Sequence, residues 1–261
     1  MHTGSAGSGL PEHACSDPDQ SANCSADNGF NRADYEGWGT LNGLNERQRW
    51  VADPAGSGET VAQLEIYGTD TADQWGGTRT SLWRTPDNCN GCEGWVAFGV
   101  YLPADFVYPD TWFLLYQLFS SSGNPAQALE LKGAGCAGVE PRTHLCWKDQ
   151  TAPYSGVHYA DLGLVRPGHW QYLVEHVRFS DTSSGFDKVW LGTDALPDLS
   201  RAPLGDFSGN TLYDSSPGRS NILLYRDPGP DSQHQVVDYC GFHRAPDQPT
   251  ALSLPNCPSG P

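Results

Sequence analysis

Eight cysteines are the most regularly spaced reactive residues of this 261-residue chain: Cys15, Cys24, Cys89, Cys92, Cys136, Cys146, Cys240 and Cys257. An even number at short local separations is the pattern of a disulfide framework formed outside a reducing cytosol. Sequence alone leaves about a hundred connectivities open. The spacing favours local pairs: Cys15 with Cys24, Cys89 with Cys92, Cys136 with Cys146, and Cys240 with Cys257. Zinc is the competing chemistry, and CNGC could begin such a site, but no second CxxC and no HxxxH completes four-coordinate geometry. Ser/His/Asp catalysis lacks its Gly-x-Ser-x-Gly elbow. No motif sets two carboxylates across a cleft for glycoside hydrolysis. The Asp-rich turn RDPGPD (226–231) offers the oxygen ligands a structural calcium would need, without a loop of defined spacing; no other cofactor is implied.

A second set of residues gains meaning from alternation. RTSLWR (79–84) follows the turn signal WGG, and as a strand it would put Arg79, Ser81 and Trp83 on one face. Gln117 and Phe119 share a face in TWFLLYQLF (111–119), as do Leu223 and Tyr225 in NILLYRD (221–227).

The elements that must position these residues are many and short. Nine Trp, eleven Tyr, nine Phe, 30 Gly and 20 Pro describe strands joined by tight turns, with little helix. Besides the stretches above, TVAQLEIY (60–67), GWVAFGVYL (94–102), QALELK (127–132), HWQYLVEHVRFS (169–180), FDKVWLG (186–192) and QVVDYCGF (235–242) are aromatic or β-branched runs bounded by Gly, Pro, Asn, Asp or Ser. Such a series predicts an all-β sandwich of two packed antiparallel sheets. TWFLLYQLF is apolar on both parities and reads as a central strand, and SDTSSG reads as a hairpin connection. Residues 1–28 form an arm without periodicity, 29–245 one domain, and 246–261 a Pro-rich tail held by Cys257.

A formal charge of −16, with Lys132, Lys148 and Lys188 the only lysines, excludes nucleic acid as a natural partner. No apolar run is long enough to span a bilayer, so membrane insertion is not expected. MHTGSAGSGLPEHAC lacks a basic region followed by an apolar one and does not read as a signal peptide. Disulfide-type cysteines then imply either a signal replaced by added linker residues or another route to an oxidising exterior, such as release on a virion.

Several blocks in order, GTRTSLWR, GWVAFGVYLPADF, TWFLLYQLF, GHWQYLVEHVRFSDTSSGFDKVWLG, NILLYRDPG and VVDYCGFHRAP, resemble the jelly-roll polysaccharide lyases of the heparin lyase I-like and alginate lyase-like group. The resemblance spans residues 48–245. It implies a β-jelly roll, or concanavalin A-like sandwich, that acts on a polysaccharide or cell-surface glycan. In that family one sheet face carries three motifs: Arg-Thr-Glu-Leu, Gln-Ile-His, and a strand with Gly-x-Tyr followed by a polar residue. Their chemistry is β-elimination at a uronic acid. Arg and Gln bind the carboxylate, and His or Tyr moves the proton.

Carried over by position, the resemblance assigns carboxylate binding to Arg79 and Gln117, proton transfer to Tyr225, and further contacts to Trp83, Phe119 and Arg226. The family's Glu is Ser81 here and its His is Phe119. Each retained residue also has a plain structural reading: Arg79 paired with an acid, Gln117 satisfied by backbone, Tyr225 at the core rim. His176 reads as structural, and His144 and His158 fall in or near loops where a replacement base could stand, though nothing in the sequence places them at the cleft. Two functions follow. One is a carbohydrate-binding or surface-structural protein with lost or weak catalysis, exposed on a virion tail or capsid beside other virion proteins. The other is a secreted lyase that cleaves a uronic-acid polymer. Both are extracellular.

Overall fold

The computed structural model describes residues 47–70, 72, 76–84, 90–119, 125–138, 141–152, 155–214, 219–227, 233–253 and 257, without the side chains of Trp50, Trp83, Arg84 and Arg219. Along the chain the strands are β1 (Gln48–Ala52), β2 (Thr60–Tyr67), β3 (Thr78–Arg84), β4 (Glu93–Tyr101), β5 (Phe113–Phe119), β6 (Pro125–Lys132), β7 (His144–Ala152), β8 (Ser155–Leu164), β9 (Trp170–Arg178), β10 (Phe186–Thr193), β11 (Gly205–Ser208), β12 (Arg219–Arg226) and β13 (His234–Ala245). A short helix, α1 (Gln248–Leu252), follows, capped by the Asp247 carboxylate accepting from the Thr250 amide.

These strands form two antiparallel sheets. One has seven strands in the order β1-β2-β13-β4-β9-β10-β11, and the other six in the order β3-β12-β5-β6-β7-β8. The two-sheet β sandwich expected from the sequence is therefore the architecture found, and the crossovers between sheets give it its jelly-roll winding. Alternation does the sorting. In β2, Ala62, Leu64 and Ile66 enter the core between the sheets, while Gln63 and Tyr67 remain only partly covered. All seven residues of β5 are buried, as an interior strand apolar on both parities requires. SDTSSG joins β9 to β10, with the Ser180, Thr182 and Ser184 hydroxyls bonded to one another across the turn.

Four strands carried no sequence signal strong enough to be expected: β1, β7, β8 and β11. β8 shows why, since it closes the six-stranded sheet as an edge and most of its residues face water. Of the expected disulfides, Cys136–Cys146 and Cys240–Cys257 are formed, and Cys92 is disulfide-bonded. Cys15, Cys24 and Cys89 lie outside the described residues, as does the whole of the 1–28 arm.

Two features of the core bear on the site. β5 shifts register against β6 between Leu114 and Tyr116, so Leu115 and Tyr116 both enter the core. β12 shifts against β5 between Ile222 and Tyr225. Such bulges interrupt the ladder and leave backbone groups to be satisfied otherwise. The buried Tyr239 hydroxyl of β13, with one proton to give, stands 2.9 Å from the Leu115 carbonyl and 2.7 Å from that of Leu223. A tyrosine of one sheet thus supports the irregular centre of the other.

Candidate functional site on the six-stranded sheet

β3, β12 and β5, the strands holding the three motif-like stretches, are consecutive in the six-stranded sheet. Their registers set Arg79 opposite Tyr225, Ser81 opposite Leu223, and Asn221 opposite both Trp83 and Gln117. Ile222 and Leu224 point into the core, so Asn221, Leu223 and Tyr225 take the other face, away from the seven-stranded sheet. Arg79, Ser81, Gln117 and Phe119 share it.

On that outer face the Arg79 guanidinium lies 4.9 Å from the centre of the Tyr225 ring, a cation–π arrangement. The edge of Tyr225 meets Trp112 at 4.6 Å between ring centres. Gly77 makes this close approach feasible, because a Cβ there would collide with both rings. Gln117 is buried, 3% exposed, and its Oε1 has no hydrogen-bond partner. Thr80 Oγ1 and Gln127 Oε1 of the same sheet are likewise buried without a partner.

The other positions named from sequence fall as follows. Phe119 is buried on the same face beyond Gln117, and Ser81 is partly covered, with its backbone carbonyl accepting from Gln48. The Trp83 side chain lies outside the described residues, and Trp112 is the aromatic that meets Tyr225. Arg226 is not brought to this face. It follows Tyr225 in the strand, turns inward opposite Thr78 and Phe113, and is 1% exposed. Burial pulls its pKa down, while Asp70 and Asp227 work to raise it.

Further along the same face stands a cluster that the sequence did not announce. Glu130 of β6 accepts from the Tyr159 hydroxyl at 3.3 Å and pairs with Lys132 at 3.6 Å and Lys148 at 3.9 Å. Lys132 Nζ also lies 4.4 Å from the centre of the Tyr159 ring. Burial lowers the Lys148 pKa, with Glu130 opposing and Lys132 reinforcing. Burial and the Glu130 carboxylate raise that of Tyr159, so this tyrosine is a donor and not a base. The only signal in the sequence was compositional: two of the three lysines stand sixteen residues apart, on strands that prove to be neighbours.

The histidines are elsewhere. His176 stacks on Trp95 at 4.0 Å and bonds Glu93, on the seven-stranded sheet, which is a structural setting. His144 pairs with Asp161 at 2.9 Å on β7 and β8, three strands from Tyr225, and His158 packs beside Phe207. Among the described residues one His/Cys/Asp/Glu trio has ligand-like spacing, Cys136, Cys146 and Asp161, but its two sulfurs are joined to each other. The RDPGPD turn lies largely outside the described residues. A second apolar cluster, Val61, Tyr101, Trp170, Tyr172 and Cys240, lies on the seven-stranded sheet with Cys257 packed against it.

Two antiparallel sheets, with polar and charged residues gathered on the outer face of one, define a jelly-roll protein. Residues 30–202 match the family described as Polysaccharide lyase, and the chain belongs to that family. Its fold is similar to that of the endo-β-1,4-glucuronan lyase of the fungus Trichoderma reesei, with a TM-score of 0.59 and 15% identity over 84% of this chain and 98% of that one. It is similar also to a GH131 β-glucanase catalytic domain from Podospora anserina, with TM-score 0.59 and 14% identity over 85% and 88%. Alginate lyase A1-II′ follows with TM-score 0.52 and 8% identity over 75% and 82%. Identities this low establish a shared fold and leave the chemistry of the site to this chain's own residues. A comparison with curated proteins gives no match.

Proposed function

We propose that the protein takes a uronic-acid polysaccharide across the outer face of the six-stranded sheet, as a carbohydrate-binding member of the lyase family with weak catalysis. The contact of Arg79 with Tyr225, with Gln117 on the same face four residues further along β12 at Asn221, carries this reading. A guanidinium on this face can hold a sugar carboxylate, an amide further along it can hold a neighbouring sugar, and Trp112 beside Tyr225 adds an apolar wall. Family membership supports the polysaccharide class.

The Arg79–Tyr225 contact favours a second reading, an active lyase. β-Elimination needs the carboxylate neutralised, a base for the acidified C–H proton, and a proton for the leaving oxygen. Tyr225 can perform both transfers. β3, β5 and β12 contain no histidine, and a missing positioned base costs ~10²–10⁴ in rate.

The test pairs binding with product formation. Glucuronan, alginate, heparin and hyaluronan are offered to the wild type and to Tyr225→Phe, following the ultraviolet absorbance of the unsaturated product. Binding by both without product supports the first reading; product that vanishes in the variant supports the second. No binding and no product on any uronate polymer overturns both. The disulfides accord with an extracellular setting. Placement on a virion surface belongs to the same proposal, and labelled antibodies on intact particles test it.

A further inference from the structure

We propose that Lys132, Lys148, Glu130 and Tyr159 form a second carboxylate subsite, which makes the groove specific for consecutive uronates over polymers with isolated acidic sugars. The inference rests on the proposed uronate groove and deepens it. Register is the first support. Gln117 pairs with Ala128, Ala128 with Lys148, and Lys148 with Tyr159, so all four lie in one row across the sheet. The row continues on its other side through Asn221. Gln117 and Lys148 are two strand spacings apart, about 10 Å, with only a methyl group between them. A polymer laid across the strands would meet the Gln117 group and then the lysines within the length of a short oligosaccharide.

Charge is the second support. Glu130 stands between two ammonium groups and can neutralise one of them, leaving the cluster with one net positive charge on a chain whose formal charge is −16. Both lysine side chains are 13% exposed, so their fields are less screened than those of surface lysines. One lysine is enough to balance the Glu130 charge. The second ammonium suits a carboxylate brought by a ligand. The lowered Lys148 pKa fits a site waiting for that partner.

The experiment measures affinity of the full chain for a length ladder of oligoglucuronates and for neutral gluco-oligomers of equal length. The variants are Lys148→Ala, the double variant Lys132→Ala/Lys148→Ala, Lys148→Arg and Glu130→Gln. Wild-type affinity is expected to rise once the oligomer reaches from Gln117 to Lys148. The double variant is expected to lose that rise, about tenfold or more, and Lys148→Arg to keep most of it. Glu130→Gln, which removes the internal competitor for both lysines, is expected to tighten uronate binding, whereas a purely structural Glu130 predicts weaker binding.

If the double variant, folded by thermal melt, climbs the ladder like wild type while Arg79→Ala binds nothing, the subsite is overturned and the groove stands. Failure of the wild type to bind any rung overturns the groove and the subsite together. Should the double variant not fold, Lys148→Arg against Glu130→Gln decides: unchanged or weaker binding in Glu130→Gln overturns the subsite.

Discussion

Tyr225 is held in place by what is absent at Gly77. The nearest atoms to a Cβ at that position are the rings of Tyr225 and Trp112, followed by the Arg226 carbonyl. Gly77→Ala therefore has to displace an aromatic side chain or the backbone of β12. Its expected cost is ~1–3 kcal/mol, the usual penalty for overpacking. If Tyr225 serves the ligand, uronate binding should fall further than the melting temperature accounts for; calorimetry on the free and oligomer-bound protein measures both. Arg79, Gln117 and Tyr225 could be named from sequence because each sits in a short block of ordered resemblance, and alternation then placed them on one face. Lys148, Glu130 and Tyr159 could not. Each is an ordinary residue in its own stretch, and only the pairing of β6, β7 and β8, which local sequence does not encode, brings them together.

At the scale of elements, the site depends on two irregular strands supported from behind. The register shift in β5 turns Gln117 outward while Leu115 and Tyr116 both remain in the core, and Tyr225 faces outward by alternation with Ile222 and Leu224. The Tyr239 hydroxyl lies against the Leu115 and Leu223 carbonyls. Tyr239→Phe keeps the ring and removes the donor, so these carbonyls lose their contact in a place water does not reach. A loss of ~1–3 kcal/mol is expected by chemical denaturation. Amide exchange should quicken in β5 and β12 before it does in β9 or β10, whereas a uniform change across both sheets would contradict this local role. Strong strands such as β2, β5 and β9 were legible because their apolar runs are long and well bounded. β7 and β8 were not, since His144, Cys146, Lys148 and Gln150 alternate with core residues and β8 is an exposed edge. The half of the site they carry went unseen for the same reason.

For the molecule as a whole, the unusual feature is a layer of acid between the sheets. Asp149 from β7, Asp187 from β10 and Glu175 from β9 are all buried, and no sequence pattern foretold them, since each occupies an inward parity normally held by an apolar residue. Trp147 Nε1 donates to Asp187 at 2.7 Å and Gln127 Nε2 at 2.8 Å, and the Glu175 carboxyl lies against both Asp187 and Gln127. Burial pushes the Glu175 pKa up to about 8, with the Asp149 charge adding to the rise and Arg244 of β13 opposing it. Burial also raises Asp149 and Asp187 well above the carboxylate range. A carboxyl that keeps its proton in the folded protein but loses it on unfolding stabilises the fold fully below the unfolded pKa, and that contribution drains away as pH climbs to the folded one. For Glu175 the window runs from its ordinary value of 4.5 to about 8, with a slope of at most roughly 1.4 kcal/mol per pH unit from this one group. Unfolding free energy should therefore be greatest in mild acid and fall through neutrality into weak alkali. Glu175→Gln, uncharged at every pH, should flatten that decline between mild acid and weak alkali, across the same window. Denaturant titrations across the window measure the slope directly, and equal slopes for wild type and variant would show that Glu175 does not hold its proton in the fold.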